Sequence, residues 1–108
     1  MKTNNKKVAA KGRLIDYEEI LLEELKDPAV AIDYLNATLL EKDPRVFLLA
    51  LRQVLEAHGQ SMSVVARKSK IDRESLDRMF ASKKNPKLDS LMPVLSAIGF
   101  HLAILPGK

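Results

Sequence analysis

Helix-start signals divide this chain into short segments, and they constrain its fold more than any other feature. Asp16, Ser61 and Asp72 each stand immediately before an amphipathic stretch, and Asp or Ser at this position caps the free backbone N–H groups of a first helical turn. Asp27-Pro28 and Asp43-Pro44 add a proline at the first helical position, where its missing N–H would have no partner anyway. The chain is therefore predicted to be mostly helical, with about six helices.

Apolar residues recur at helical spacing after each signal, and this pattern predicts the core. The predicted helices start at residue 16 and cover residues 27–40, 43–58, 61–69, 72–81 and 88–98. Residues 100–105 alternate in polarity and predict a short C-terminal strand. The predicted core consists of Leu21, Leu22, Leu25, Ala31, Leu35, Leu39, Phe47, Ala50, Leu51, Val54, Leu55, Val65, Ala66, Leu76, Met79, Phe80, Leu88, Leu91, Met92, Leu95 and Ile98.

Length and composition exclude several classes of protein. A chain of 108 residues without cysteine has room for about one core and offers no disulfide or thiolate metal site. His58 and His101 have no ligand-type spacing to a carboxylate pair, so no metal or other cofactor is expected, and His58 is expected to end a helix. No apolar stretch approaches the ~20 residues that cross a bilayer. We expect a cytoplasmic protein with no membrane partner, in which residues 1–13 form a disordered basic tail.

Charge is segregated along the chain, whose net charge is +4. Residues 1–13 carry five basic and no acidic side chains, whereas residues 14–43 carry nine acidic and two basic ones, a net charge of −7. Residues 61–87 carry eight basic and three acidic side chains, a net charge of +5. One short chain thus presents an acidic region and a basic region, which suit different partners.

The basic region contains two short predicted helices joined by a few residues. This arrangement, packed on flanking helices, is typical of a helix-turn-helix, in which the first residues of the second helix reach base edges in the major groove. Leu76, Met79 and Phe80 are predicted to face the core, so the polar residues of the same helix line its opposite face. We therefore predict that residues 61–80 bind duplex DNA.

Individual side chains of this region have predicted roles on DNA. Arg73 is the preferred candidate for base reading, because a guanidinium can pair with guanine through two hydrogen bonds. Glu74 would accept from cytosine or orient Arg73, and Arg78 would reach a base or a phosphate. Ser61 and Ser63 offer hydroxyls beside free backbone N–H groups, which suits a phosphate. The predicted DNA-binding residues are Ser61, Ser63, Arg67, Arg73, Glu74, Ser75, Asp77, Arg78, Lys83 and Lys84, with Lys68 and Lys87 flanking the groove.

The basic region also resembles a known class of proteins. Residues 61–99 read SMSVVARKSKIDRESLDRMFASKKNPKLDSLMPVLSAIG and resemble the phage-repressor (Cro/CI, or XRE) helix-turn-helix domains at Ala66, Leu76, Asn85-Pro86 and Ile98-Gly99. The wider pattern, over about residues 14–105, resembles the HigA-like addiction-module antidote (antitoxin) family. That wider pattern consists of Tyr34-Leu35-Asn36-Ala37, Asp43-Pro44, Leu49-Ala50-Leu51-Arg52 and Arg73-Glu74-Ser75-Leu76.

The resemblance implies a fold and two partners. The expected fold is all-α, a phage-repressor-like (lambda repressor-like) helix-turn-helix bundle with extra N-terminal helices and a short C-terminal strand. Residues 14–43 would bind a cognate toxin that is basic and cleaves RNA, whereas residues 44–105 would bind operator DNA as a homodimer and repress transcription. The expected toxin contacts are the acidic Glu18, Glu19, Glu23, Glu24 and Asp33, with Tyr17 or Tyr34 as an apolar anchor.

Two positions depart from the phage-repressor pattern. Lys70 stands in the turn where such repressors usually carry glycine, and a left-handed backbone there would cost a lysine roughly 1 kcal/mol. We therefore expect a turn of a different construction. Met62 stands where a glutamine often reaches the DNA, which removes one expected hydrogen bond to the operator.

Three alternatives remain open at this point. A stand-alone phage-type repressor shares every feature after Asp43 and has no toxin partner. A metal-dependent nuclease would need clustered carboxylates around an open cation site, and the acidic residues here fall mostly in first helical turns or on exposed faces. In a pure protein-interaction module the basic helix would serve only solubility, and salt-dependent binding to DNA would argue against this alternative, because phosphate contacts release counterions.

Overall fold

The computed structural model describes residues 7–10, 13–81 and 85–107. Lys83 and Lys84, predicted as DNA contacts, lie outside the described residues. The described part contains a two-stranded antiparallel hairpin followed by six helices. Their bounds are β1 Lys7–Ala10, β2 Arg13–Asp16, α1 Tyr17–Leu25, α2 Pro28–Leu39, α3 Pro44–Ala57, α4 Met62–Ser69, α5 Arg73–Ala81 and α6 Leu88–Ala97.

The five helix-start signals read from the sequence are confirmed. In each case the side chain accepts a hydrogen bond from a backbone N–H two or three residues ahead, which satisfies a donor that the first turn leaves free. The donor–acceptor distances are 2.8 Å for Asp16 with Glu18, 3.0 Å for Asp27 with Ala29, 3.0 Å for Asp43 with Arg45, 3.2 Å for Ser61 with Val64 and 3.0 Å for Asp72 with Ser75.

Helix α3 lies at the centre of the core and contacts both halves of the molecule. It packs against α1 and α2 on the N-terminal side and against α5 on the C-terminal side, and α4 in turn packs against α5 and α6. Its buried stripe follows the predicted 3.6-residue period. The stripe consists of Phe47, Leu48, Ala50, Leu51, Val54 and Leu55.

His58 connects the end of α3 to two other parts of the chain. Its Nε2 lies 2.8 Å from the backbone oxygen of Leu25, and its ring meets that of Phe100 edge-on at 6.4 Å between centroids. The helix ends at this residue as predicted, and Gly59 follows with a φ of +70°. Glycine adopts this left-handed backbone without the steric penalty that a side chain brings. His58 is therefore a structural residue that joins α1, α3 and the segment after α6.

Several predicted core residues are exposed instead. Leu39, Leu88 and Met92 are about half exposed or more, whereas Val94, which the sequence pattern missed, is fully buried. In α6 the buried Leu91, Val94 and Leu95 form one i, i+3, i+4 stripe. Met92 follows Leu91 by one residue, a rotation of about 100° that carries it off this stripe. Pro93 lies inside α6 as predicted.

The predicted C-terminal strand is wrong. Residues 100–107 are described and have no regular secondary structure. A strand forms only when its backbone pairs with a neighbour, and within the described residues β1 and β2 pair only with each other. In this irregular segment Ile104 and Leu105 are 98% and 79% exposed.

The predicted disordered tail, residues 1–13, is also corrected in part. Lys7–Ala10 form β1 and pair with β2 in the register Lys7 with Asp16 through to Ala10 with Arg13. The composition of the segment alone does not reveal this, because a strand depends on the residues that face it across the ladder. Here Val8 faces Ile15, and both are residue types that favour strands.

Candidate nucleic-acid interface

The turn between α4 and α5 has the left-handed backbone that the sequence analysis argued against. Lys70 has a φ of 61° and a ψ of 30°, and the Ile71 N–H donates to the Ala66 oxygen at 3.2 Å, which closes the last turn of α4. The expectation of a differently built turn is therefore wrong. This conformation costs a lysine roughly 1 kcal/mol. The hydrogen bond that closes the turn satisfies a carbonyl at the helix end.

Helix α5 presents its polar face to solvent. Leu76 is fully buried, and Met79 and Phe80 pack partly buried against the core. This fixes the rotation of the helix, so Arg73, Glu74, Asp77 and Arg78 are all exposed. The Phe80 ring also lies 5.5 Å from the Arg52 guanidinium of α3, a cation–π arrangement. The outward direction of Arg73, Glu74 and Arg78 agrees with the sequence analysis, and their contact with DNA stays a prediction.

Arg73 joins the two helices of the helix-turn-helix through its guanidinium. Its Nε donates to Asp77 Oδ1 at 3.2 Å, four residues along the same helix, and its Nη1 donates to Ser63 Oγ of α4 at 2.8 Å. Ser63 is thus engaged by Arg73. The structure brings three of the predicted DNA-binding residues into one cluster.

A second cluster lies at the start of α5. The Ser75 hydroxyl donates to Asp72 Oδ1 at 2.8 Å and accepts from Arg78 Nη2 at 3.2 Å, while the Ser75 N–H donates to Asp72 Oδ2. These two hydrogen bonds from Ser75 hold the pKa of Asp72 below its ordinary value of 3.8. Asp72 is therefore a charged cap at neutral pH, and Ser75 and Arg78 are arranged around it.

The remaining predicted DNA residues have separate surroundings. The Ser61 hydroxyl accepts the Val64 N–H as the cap of α4, and Lys68 Nζ donates to Gln60 Oε1 at 3.2 Å. Arg67 and Lys87 are exposed. Met62, at the position that departs from the repressor pattern, packs against the core.

The predicted toxin-binding residues lie on α1 and α2. Glu19, Glu23, Glu24 and Asp33 are exposed and Glu18 is half-buried, and Glu23 pairs with Lys26 at 3.0 Å. The sequence analysis named Tyr17 and Tyr34 as possible aromatic anchors, and the structure gives them different surroundings.

Tyr17 is about half exposed, whereas Tyr34 packs against the core and donates its hydroxyl to Gln53 Oε1 of α3 at 2.6 Å. Burial raises the pKa of Tyr34, and the negative charge of Glu18 raises it further. Tyr17 is therefore the accessible aromatic side chain of the acidic surface, and Tyr34 fixes α2 on α3.

The sequence analysis missed an apolar groove of about 340 Å³. Residues of α2, α3, α6 and the segment after α6 line it, and none of the described lining residues is acidic, Lys or Arg. The only signal in the sequence was the apolar run of residues 100–105, which was interpreted as a strand. The described lining residues are Ile32, Leu35, Asn36, Leu39, Phe47, Leu95, Gly99, Phe100, His101, Leu102, Ala103 and Leu105.

Among residues 7–10, 13–81 and 85–107, no three His, Asp or Glu side chains are grouped so that they could hold a metal ion. Within the same ranges, every helix is too short or too polar to cross a bilayer.

Comparisons with known proteins bear on the family of the chain. Residues 17–106 match the model of a family described as "probable addiction module antidote protein". The comparison with curated proteins gave no match, and neither did the comparison with solved structures. The matched range covers α1 to α6 and therefore both the acidic helices and the helix-turn-helix. This chain belongs to the family of addiction module antidote proteins.

Proposed function

We propose that this antidote is a HigA-like antitoxin that binds operator DNA as a homodimer, represses its own transcription and neutralises a ribonuclease-type toxin in the cytoplasm. The observation that carries the DNA-binding part is the exposure of Arg73, Glu74 and Arg78 along one face of α5. In this proposal residues 44–105 are a lambda repressor-like DNA-binding unit, and residues 14–43 are the toxin-binding part.

The electrostatics of α4 and α5 support DNA as the partner of this face. Residues 61–87 carry a net charge of +5, and basic side chains gain affinity for DNA by releasing counterions from its phosphates. Arg73 lies in the first turn of α5, the part of a recognition helix that reaches base edges. Arg67 and Lys87 are exposed to the solvent and suit phosphate contacts.

The acidic surface of α1 and α2 supports a basic partner. Residues 14–43 carry a net charge of −7, and a toxin that grips RNA needs a positively charged surface. Opposite charge on two partners accelerates their encounter and selects against wrong partners. An exposed aromatic residue, Tyr17, lies at the start of α1 beside Glu18 and Glu19 and supplies an apolar contact within this charged surface.

The apolar groove supports a second copy of this chain as its occupant. A twofold interface places each surface against its own equivalent, so a charged surface would repel itself, whereas this groove is lined by described residues without Asp, Glu, Lys or Arg. A basic toxin and a polyanionic DNA both need charged contacts that the groove does not offer. Ile104, which is 98% exposed and does not line the groove of its own copy, is the apolar side chain that would enter the groove of the other.

The proposed function is tested by co-purification with the product of the neighbouring gene, followed by a gel shift on the shared promoter. We expect a stable complex with a small basic protein and a shift of promoter DNA that weakens steeply as salt is added. A promoter shift without any complex would favour a stand-alone repressor. A complex with the basic protein but no salt-dependent DNA binding would support the proposed toxin binding and overturn the proposed DNA binding.

A further inference from the structure

We propose that Asp77 and Ser63 are positioning residues that hold the Arg73 guanidinium ready to read a guanine before DNA arrives. The inference rests on the proposed DNA binding and adds to it the residues that determine specificity. Its basis is the pair of contacts that Arg73 makes in the protein alone, to Asp77 Oδ1 at 3.2 Å and to Ser63 Oγ at 2.8 Å.

The two contacts leave a usable part of the guanidinium. An arginine side chain has five N–H donors in a planar fork. Asp77 engages Nε and Ser63 engages one N–H of Nη1, so these contacts leave the second N–H of Nη1 and both of Nη2. A guanidinium with three free N–H groups on its two Nη atoms retains donors that can reach guanine O6 and N7.

The contacts also restrict a side chain that is otherwise flexible. Ser63 lies ten residues before Arg73 and belongs to α4, whereas Asp77 is on α5 with Arg73. Restraint from two helices fixes both the plane and the direction of the guanidinium. Ordering a long side chain on binding costs conformational entropy, and a side chain that is already ordered avoids much of that cost.

Stabilisation of the fold is a weak explanation for the same contacts. The side chains of Arg73 and Asp77 are 53% and 49% exposed, and exposed ion pairs contribute little to folding because solvent screens them. A carboxylate beside a DNA-binding face also repels phosphates. The position of Asp77 is therefore better explained by the direction it gives to Arg73.

The test compares operator DNA with random DNA of equal length for the full chain and a set of variants. In Asp77→Ala and Ser63→Ala, we expect the ratio of operator to random affinity to fall about 3- to 10-fold, the equivalent of one lost hydrogen bond. Asp77→Asn keeps an oxygen acceptor and should retain most of the ratio. Glu41→Ala removes one negative charge from an exposed residue between α2 and α3 and should leave the ratio unchanged.

A double-mutant cycle separates positioning from a direct role. In an Arg73→Ala background, Asp77→Ala should have no further effect on the ratio, because there is no guanidinium left to position. Thermal unfolding of each variant checks that the fold is retained. The inference is overturned if Asp77→Ala lowers the ratio equally with and without Arg73, or if wild-type preference for the operator survives both single variants. Failure of the wild-type protein to prefer any operator would instead overturn the proposed DNA binding, and the inference with it.

Discussion

The acidic helices α1 and α2 and the basic helices α4 and α5 pack on the same central helix, α3, directly or through their neighbours, yet they organise their charges differently. Between α4 and α5, a hydrogen bond joins a charged side chain of one helix to a hydroxyl of the other, from Arg73 to Ser63. At the end of α1, Glu23 pairs with Lys26, which follows it by three residues in the chain. The first arrangement fixes directions, which suits base reading, whereas the second mainly supplies a negative field.

This difference fits the two partners proposed for this one small core. A negative field acts over about a Debye length, ~8–10 Å at physiological salt. The attraction it exerts on a basic partner therefore changes little when a side chain shifts slightly. Reading a base depends on donors placed at hydrogen-bond distance. The proposed toxin surface should therefore respond to net charge, and the proposed DNA surface to individual contacts.

The largest expected effect comes from the apolar groove, which α2 lines with uncharged residues and to which α4 and α5 contribute no lining residue. Leu105→Asp places a charge in the proposed dimer contact, so the protein should become monomeric and lose roughly 100-fold or more in operator affinity, because avidity is lost. Binding of one toxin per chain should be unaffected. Leu40→Asp is the matched control, since Leu40 is 81% exposed, close to the 79% of Leu105, but does not line the groove.

Sedimentation velocity and a gel shift measure the two effects of Leu105→Asp. If the variant stays dimeric and binds the operator normally, a second copy of the chain is not the occupant of this groove. If the variant instead loses toxin binding, the groove is part of the toxin surface, and the comparison between the two regions must be redrawn.

The next effect sharpens the role of the basic helices. Arg73→Ala should cost ~1–3 kcal/mol on the preferred operator and little on random DNA, as expected when a guanine contact is removed. Toxin affinity should not change, because Arg73 is on α5 and the acidic residues are on α1 and α2. Equal losses on operator and random DNA, measured by fluorescence anisotropy at one salt concentration, would assign Arg73 to phosphate contact.

The corresponding change in the acidic helices reverses charge. Replacing both Glu23 and Glu24 by Lys should weaken toxin binding by about 10-fold, mainly through slower association, since opposite charge accelerates encounter. Operator binding should persist. Surface plasmon resonance gives both rate constants, and an unchanged toxin affinity would show that the acidic surface is not the toxin contact.

The smallest expected effect concerns the cap of α5 and its pH dependence. Because hydrogen bonds from Ser75 lower the pKa of Asp72 below 3.8, its stabilisation is present above that pH and is lost as the pH falls through the lowered value. Asp72→Asn keeps a capping side chain that does not titrate. The thermal stability of this variant should stay close to that of the wild type at neutral pH. Below about pH 4 its stability should decrease less than that of the wild type, because it has no carboxylate at this cap to protonate.

Differential scanning calorimetry from pH 7 to pH 2 tests the role of Asp72. Asp72→Ala removes the cap and should be slightly less stable than both proteins at neutral pH. Identical acid curves for wild type and Asp72→Asn would contradict the assigned titration.

The sequence predicted the helices better than the strands. Each confirmed helix start depends on a side chain and an N–H two or three residues apart, as with Asp43 and Arg45, so the relevant partner is visible in the sequence. Disorder was predicted at Lys7–Ala10, which form β1, and a strand was predicted at residues 100–105, which are irregular. Strand formation depends on a partner segment that local composition does not identify.

The candidate site shows the same division. The sequence by itself determined which residues of α5 are polar and which apolar, and the buried Leu76 then fixes the outward face. Only the tertiary structure decided that Ser63 meets Arg73, that Tyr34 bonds to Gln53 nineteen residues away, and that residues after α6 close an apolar groove. Such contacts follow from how helices pack, and packing is set by the summed burial of many side chains rather than by any residue and its neighbours in the chain.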